Sequence, residues 1–373
     1  MKSPLLGIAC IAVLCVILNL GLWPFHAPRN EVNWLKDGNG LRFGDYGTVV
    51  STGTFKGAGP SDGPSCSIEI WIERASNGNS GTILAFYAPG RPVRLSLHQS
   101  LTDFVLQRGT ARATSIYVDN VFRQPRPVLV TITSGLQGTA VYVNGTPATM
   151  PQGFRLDASD CTGRLILGDS ALQPDSWRGQ VRGLAVYCSK LQPSTVLRHY
   201  QAWTKNGRPE AARNERNVGL YLFNERSGNL VHNHAASSLD LEIPETYTVL
   251  DKVFLEPFWD EFHMSRSYWA SVLKNIVGFI PLGFCFCAYF SVVRRAKHAQ
   301  LITVILGLAV SLTIEVLQGF LPTRDSGTTD LFTNTLGTYV GVLGYRAVSR
   351  ILFEQLPWLA PRRVPKSDPM NIT

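Results

Sequence analysis

The sequence predicts a mixed fold, a four-helix transmembrane bundle carrying an extracytoplasmic all-β jelly-roll sandwich. Three observations predict it. Apolar runs long enough to cross a bilayer sit at both ends of the 373-residue chain. A polar, Gly-rich stretch of short alternating segments lies between them. The basic residues flank the apolar runs instead of gathering into a patch.

The first run, Pro4 to Trp23, follows Lys2. It lacks a small-x-small cleavage site and exceeds a typical signal-peptide core, so it reads as an uncleaved anchor. A lipobox at Gly7-Ile8-Ala9-Cys10 fails because too few apolar residues precede Cys10. Trp23 and Phe25 mark the outer interface. Three further runs, Tyr268 to Val293, Leu301 to Leu321 and Leu331 to Val348, each suit a span of about 20 residues. Arg294-Arg295-Ala296-Lys297-His298 separates the first two of these. Arg346, Arg350, Arg362, Arg363 and Lys366 follow the last. Placing both basic clusters and Lys2 inside gives a multi-pass protein of the plasma membrane with both termini cytoplasmic and residues 26–266 outside. The expected divisions are a first helix at 1–25, a β-sandwich at 30–245, an interfacial segment at 250–266, three helices at 267–348 and a cytoplasmic tail at 349–373. Phe254, Phe258, Trp259 and Phe262 give the interfacial segment its amphipathic character.

Within the middle region, Ser67-Ile68-Glu69-Ile70-Trp71-Ile72, Leu129-Val130-Thr131-Ile132-Thr133 and Ala140-Val141-Tyr142-Val143 alternate with the period of a strand. The last runs into Asn144-Gly145, a hairpin turn signal. Asn144-Gly145-Thr146 also fits an N-glycosylation pattern, which the turn explains equally well. Further strands are expected at Leu165 to Gly168 and Val181 to Tyr187, and a short helix near Pro193 to Trp203. Many short strands punctuated by Gly, Pro and Asn argue for a sandwich.

Net charge is +8, yet no dense basic patch, zinc-finger spacing or aromatic RNA-binding motif accompanies it, so no nucleic-acid partner is expected. A glycosidase needs two carboxylates facing each other across a sugar. No alternating acidic pair occurs, and Glu69 stands alone in a strand, where it is expected to face solvent. Calcium in the β region could use Asp119, Asn120 or Asp169, but no clustered Asp-x-Asp loop supports it. No other cofactor is expected. Of the seven cysteines, Cys161 and Cys188 flank consecutive strands and form a disulfide candidate if that region lies outside the cytoplasm. Cys66 is then left over.

Ionisable side chains within membrane spans are costly and point to function. The second span carries Lys274, Asn275 and Gly278. The third carries Ser311, Glu315 and Gln318 at helical spacing. The external loop holds Arg324 and Asp325. The fourth span starts at Asp330 and continues with Asn334, Gly337, Gly341 and Gly344 along one face, where the glycines would let another helix approach closely. All the polar groups fall at the outer-leaflet level. Lys274, Asn275, Gln318, Arg324 and Asn334 are the candidate binding residues, and Glu315 and Asp330 the candidate acid and base.

Two families carry these patterns. Ile68-Glu69-Ile70-Trp71-Ile72, Gly81-Thr82-Ile83-Leu84-Ala85-Phe86, Tyr142-Val143-Asn144-Gly145 and Trp177-Arg178-Gly179-Gln180-Val181 through Tyr187 resemble the laminin-G/concanavalin-A-like jelly roll. That resemblance implies binding of a glycan or an envelope protein. Asn275-Ile276-Val277-Gly278-Phe279-Ile280-Pro281-Leu282-Gly283, then Ser311 to Gln318, Arg324, Asp330, Asn334 and Gly337, resemble the VanZ-like membrane family. That resemblance implies a cell-envelope setting and a link to teicoplanin susceptibility, and the polar cluster is expected to engage a lipid or lipid-linked saccharide besides the bilayer. On this reading the jelly roll is inserted after the first helix. Lys274 departs from the family pattern, in which an acid, usually Asp, precedes the Asn.

Overall fold

The computed structural model describes residues 3–56, 65–75, 79–88, 91–109, 114–151, 153–210, 215–235, 239–262, 264 and 266–355. Lys2, Arg362, Arg363 and Lys366, on which part of the expected orientation rests, lie outside them. The chain divides into two compact units. One comprises residues 26–253 with 322–324, and the other the helices on either side.

The β unit is built from two antiparallel sheets. The first orders β1 (Val32–Trp34), β2 (Leu41–Phe43), β13 (Gly179–Tyr187), β4 (Cys66–Arg74), β9 (Val128–Gly135), β10 (Gly138–Val143) and β11 (Thr146–Thr149), with β14 (Asn217–Tyr221) also paired to β13. The second orders β15 (Leu230–Val231), β16 (Leu241–Glu242), β3 (Val49–Ser51), β12 (Arg164–Leu167), β5 (Ser80–Ala88), β6 (Arg91–Ser100), β7 (Asp103–Arg108) and β8 (Ser115–Val118). Strand alternation produces the core directly. Ile68, Ile70 and Ile72 of β4 meet Val130, Ile132, Val141 and Leu184 with Phe86, Leu95, Leu97, Phe104 and Leu165 in one buried cluster. Asn144 takes a left-handed φ of 51° before Gly145, and its Oδ1 accepts the Leu129 amide at 3.0 Å, which is the hairpin turn.

One expectation fails here. Glu69 does not face solvent. Its side chain is fully buried because the first sheet is covered on both faces. Helix α2 (Pro193–Asn206) lies on the outer face, and Leu129, Tyr142, Ala185, Tyr187, Val196 and Trp203 form a second cluster there. Glu69 accepts Tyr187 Oη at 2.9 Å, Trp203 Nε1 at 3.0 Å and His199 Nδ1 at 3.0 Å. The other ring nitrogen of His199 lies 3.1 Å from Glu215 Oε2, an ion pair without good hydrogen-bond alignment. Arg198 closes the chain on Glu215 at 2.6 Å. Burial opposes a charged imidazole, but the hydrogen bond to Glu69 and the charges of Glu69 and Glu215 outweigh it and raise the His199 pKa. Gly183 is required beneath the helix, since a Cβ there would lie 2.4 Å from the Trp203 ring.

Asp169 is likewise inward-facing. It accepts the Ser170 and Asp175 amides, each at 2.7 Å, Ser176 Oγ at 2.9 Å and the Tyr247 hydroxyl. Burial nevertheless pushes its carboxyl up to about 6, against the pull of those bonds. These donors occupy the oxygens that calcium would need. Among the described residues no group of three or more His, Cys, Asp or Glu is placed to hold a metal.

The cysteines of this unit are separate thiols, Cys161 and Cys188 included. Its neighbour Cys66, and burial, push the Cys161 thiol up.

The chain enters and leaves the β unit side by side. The Asn30 amide donates to the Glu245 carbonyl at 3.0 Å and the Tyr247 amide to the Pro28 carbonyl at 2.9 Å, around an antiparallel bridge of Arg29 with Thr246.

The helical unit contains α1 (Ser3–Leu22), the short α3 (Phe258–Glu261), α4 (Arg266–Ala288), α5 (Ala299–Gln318) and α6 (Thr328–Gln355), with a π-helical turn (Tyr289–Val293) extending α4. Three segments among the described residues are long and apolar enough to cross a membrane, Pro4–Leu22, Tyr268–Val293 and Ala299–Gln318. The fourth expected span, within α6, is not among them because threonines, glycines, Asp330 and Asn334 dilute its apolar content. Ile17, Phe279, Leu282 and Ile314 join α1, α4 and α5 in one apolar cluster. Phe254, Phe258, Trp259, Phe262 and Met264 of the expected interfacial segment are all exposed.

Candidate functional site: a polar cluster at the start of α6

Helix α5 buries Thr303, Gly307, Ser311, Glu315 and Gln318 along one face, the spacing that places them on a single stripe. Helix α6 answers with Asp330, Asn334, Gly337, Thr338 and Gly341. Asn334 Nδ2 donates to Ser311 Oγ at 3.0 Å. Asn275 of α4 donates to Asp330 Oδ1 at 2.6 Å. The glycines set the depth of contact: a Cβ on Gly337 would lie 2.2 Å from the Ile276 carbonyl oxygen, and one on Gly341 2.2 Å from that of Ile280. Gly278 is different, for a Cβ there would meet nothing within 4 Å.

The loop before α6 is fastened by carboxylates. Glu315, buried, accepts the Gly327 amide on Oε2 at 2.8 Å, while its carbonyl accepts Ser326 Oγ at 2.8 Å. The Glu256 amide donates to the Ser326 carbonyl and the Glu256 carbonyl accepts the Thr328 amide, both at 2.9 Å. Glu261 accepts the Thr329 amide at 2.8 Å. That amide is an open donor of the first turn of α6, where a carboxylate also suits the helix dipole.

Of the residues singled out from sequence, the structure thus brings together Glu315, Asn275, Asp330 and Asn334. Gln318 faces α1, with Nε2 donating to the Gly21 carbonyl at 2.8 Å. Lys274 is exposed and makes no ion pair among the described residues, as a snorkelling lysine would. Arg324 groups with the β unit. Sequence reasoning passed over Glu261, Glu256, Ser326 and Thr329, which lie in segments that read as interface and loop. The acids at 256 and 261, amid exposed aromatics, were the available signal.

Asn334 Oδ1 and Thr329 Oγ1 are buried and have no hydrogen-bond partner among the described residues. The carboxylate of Asp330 is half-buried on the same helix, one turn before Asn334. Chemically, an open amide oxygen and a carboxylate accept hydroxyl or ammonium donors.

Residues 195–352 match the sequence model of the family described as VanZ/LLP1. The chain carries a VanZ-like domain. The match starts at α2 inside the β unit and runs through α6, so the VanZ-like region is wider than the helices alone. With the apolar helices it makes this a membrane protein. No curated protein matches the sequence. Among solved structures, a candidate carbohydrate binding protein from Bacteroides ovatus is similar at 12% identity and a TM-score of 0.40, over 58% of each chain. A Trypanosoma rangeli sialidase is similar at 17% identity and 0.34, over 46% of this chain and 29% of the other. A structure of botulinum neurotoxin type C is similar at 12% identity and 0.33, over 47% and 45%. The chain spans only 29% to 58% of the length of those structures.

Proposed function

We propose that this is a cell-envelope protein of the plasma membrane whose VanZ-like helices form a four-helix transmembrane bundle that engages the donor-rich head of a lipid-linked saccharide. The observation that supports this reading is the buried Asn334 Oδ1, without a hydrogen-bond partner among the described residues, one helical turn after Asp330. A buried acceptor left open costs about 1–3 kcal/mol, which a ligand hydroxyl would recover. Asp330, Asn334, Asn275 and Thr329 contact the head group in this scheme, and exposed Lys274 balances a phosphate. The positions of the basic clusters support both termini in the cytoplasm and residues 26–266 outside, where the β-sandwich would recognise a glycan or an envelope protein. Through this engagement the protein alters susceptibility to glycopeptides such as teicoplanin.

Binding of a polyprenyl-diphosphate disaccharide to the full chain in nanodiscs tests the proposal. Asp330→Asn and Asn334→Leu are expected to weaken it at least about tenfold, a loss of about 1.4 kcal/mol. Polyprenyl phosphate without sugar should bind weakly to every variant. Equal affinity for the two lipids would sink the saccharide reading. The alternative, an enzyme using Glu315 and Asp330 as acid and base on a lipid-linked intermediate, is disfavoured by the engagement of Glu315 Oε2 with the Gly327 amide. Glu315→Gln is accordingly expected to loosen the loop and lower the yield of folded protein, with no new lipid intermediate accumulating in the cell.

A further inference from the structure

Strand β6 turns Leu95 and Leu97 into the core, so Ser96 and His98 stand on the opposite face of the second sheet. The segment 169–176 lies over that face, where Ala171 packs with Val50, Tyr87 and Ile166. Asp169 pins the segment by accepting the Ser170 and Asp175 amides and Ser176 Oγ. The Thr82 amide of β5 donates to the Asp175 carbonyl at 2.9 Å. The Asp175 carboxylate is thereby held against β5, where Thr82 Oγ1 donates to its Oδ2 at 2.5 Å. That bond uses the single hydroxyl proton of Thr82. In the 3.0 Å contact of Thr82 Oγ1 with His98 Nδ1, the ring nitrogen is therefore the donor. His98 Nδ1 also lies 3.6 Å from Asp175 Oδ2. In the neutral imidazole Nε2 then keeps its lone pair, and Ser96 Oγ donates to it at 2.7 Å. Ser96, His98, Thr82 and Asp175 thus form one chain of hydrogen bonds, every donor pointing toward the carboxylate.

We propose that this chain of groups is a serine esterase site, with Ser96 the nucleophile and His98 its general base, acting on esters of short acyl groups. A basic ring nitrogen on a serine hydroxyl, held in that tautomer by an acid-backed bond at the other nitrogen, is the arrangement that activates a serine. The His98 and Asp175 side chains are 25% and 47% exposed, so an ester can reach the ring from solvent. Ser96 is 4% exposed, which limits the acyl group to one of about the size of acetyl. In the reaction Ser96 Oγ bonds to the ester carbonyl carbon while its proton passes to His98 Nε2. The bond to the alcohol oxygen breaks, and the alcohol leaves with that proton. Water then gives a proton to Nε2 and adds to the acyl carbon. The bond to Ser96 breaks, the carboxylic acid is released and Nε2 returns the proton to Oγ. Gln107 is half-buried and registered with Ser96 across the β6–β7 pair, so its amide stands on the same face to donate to the oxyanion. Thr82 and Asp175 are positioning residues. The site lies wholly within the β unit and is independent of the helical cluster.

The full chain in detergent is treated with a fluorophosphonate probe and digested, and the labelled peptide is read by mass spectrometry. Label on Ser96 is expected in the wild-type chain, a result that no misfolded variant can obscure. Hydrolysis of p-nitrophenyl acetate supplies the rates. Ser96→Ala and His98→Gln are each expected to lower kcat/KM by about a hundredfold or more, with the unfolding temperature of the β unit unchanged. Thr82→Ser should keep the rate, whereas Thr82→Val should lower kcat by about tenfold at unchanged KM, a split that lost packing alone would not give. p-Nitrophenyl octanoate should be hydrolysed more slowly than the acetate, and the reverse order would overturn the short-acyl assignment. An unlabelled Ser96, or equal acetate hydrolysis by the wild-type chain and folded Ser96→Ala, overturns the esterase. Undiminished label on Ser96 in folded His98→Gln overturns the role of the histidine.

Discussion

Replacing Glu69 with Ala is expected to destabilise the β unit by about 3–5 kcal/mol, because it removes the common acceptor of three buried donors and strands a charge. Tyr187 Oη, Trp203 Nε1 and His199 Nδ1 would all lose their partner, with the imidazole left against Glu215 alone. Denaturant unfolding followed by Trp fluorescence reads the loss. The same cluster gives the unit a pH dependence of known sign. The folded His199 pKa lies above its ordinary value, so the native state holds the proton longer than the unfolded chain does. Its contribution is then full below about pH 6.5, the unfolded value, and declines as pH rises through the higher folded one. His199→Gln is expected to flatten the stability curve in that window and to leave the acid limb unchanged. An unaltered slope would show that the histidine is neutral throughout.

The second large effect is expected in the membrane helices. Gly341→Leu should abolish the compact helical unit, since even the first added carbon would lie 2.2 Å from the Ile280 carbonyl oxygen and 2.8 Å from the Phe284 amide nitrogen. Both obstacles are backbone and cannot rotate away, so α4 and α6 must separate, at a cost above the roughly 1–3 kcal/mol of ordinary overpacking. Gly278→Leu, one turn from Asn275, supplies the control, for that position is open. The expected readout is a monodisperse peak for Gly278→Leu in detergent chromatography and aggregation for Gly341→Leu. Equal behaviour of the two variants would contradict the close crossing.

Much of this was legible in the sequence, for identifiable reasons. The β-sandwich was readable because Ile68, Ile70 and Ile72 alternate without interruption and Asn144-Gly145 specifies a turn. The α6 stripe was readable because Asp330, Asn334, Gly337 and Gly341 repeat at helical spacing. Glu69 was misread because alternation predicts one buried face, while α2 covers the other face too, and nothing within the strand announces a covering helix more than a hundred residues later. The loop contacts of Glu256 and Glu261 were missed for a similar reason. They depend on tertiary approach of an irregular segment to Ser326 and Thr329, which carries no periodic signal.

The doubled hydrogen bonds at Pro28–Asn30 and Glu245–Tyr247 have a practical meaning for how such a protein can arise and be rebuilt. A cargo whose two ends are already clasped can be spliced into a host loop while imposing little strain on it, much as tolerated insertions favour sites where chain ends lie close. Excising residues 26–253 and closing the gap with a short Gly-Ser bridge should therefore yield a miniature membrane protein. The clasped sandwich should in turn be portable, ready for transplantation onto another anchor.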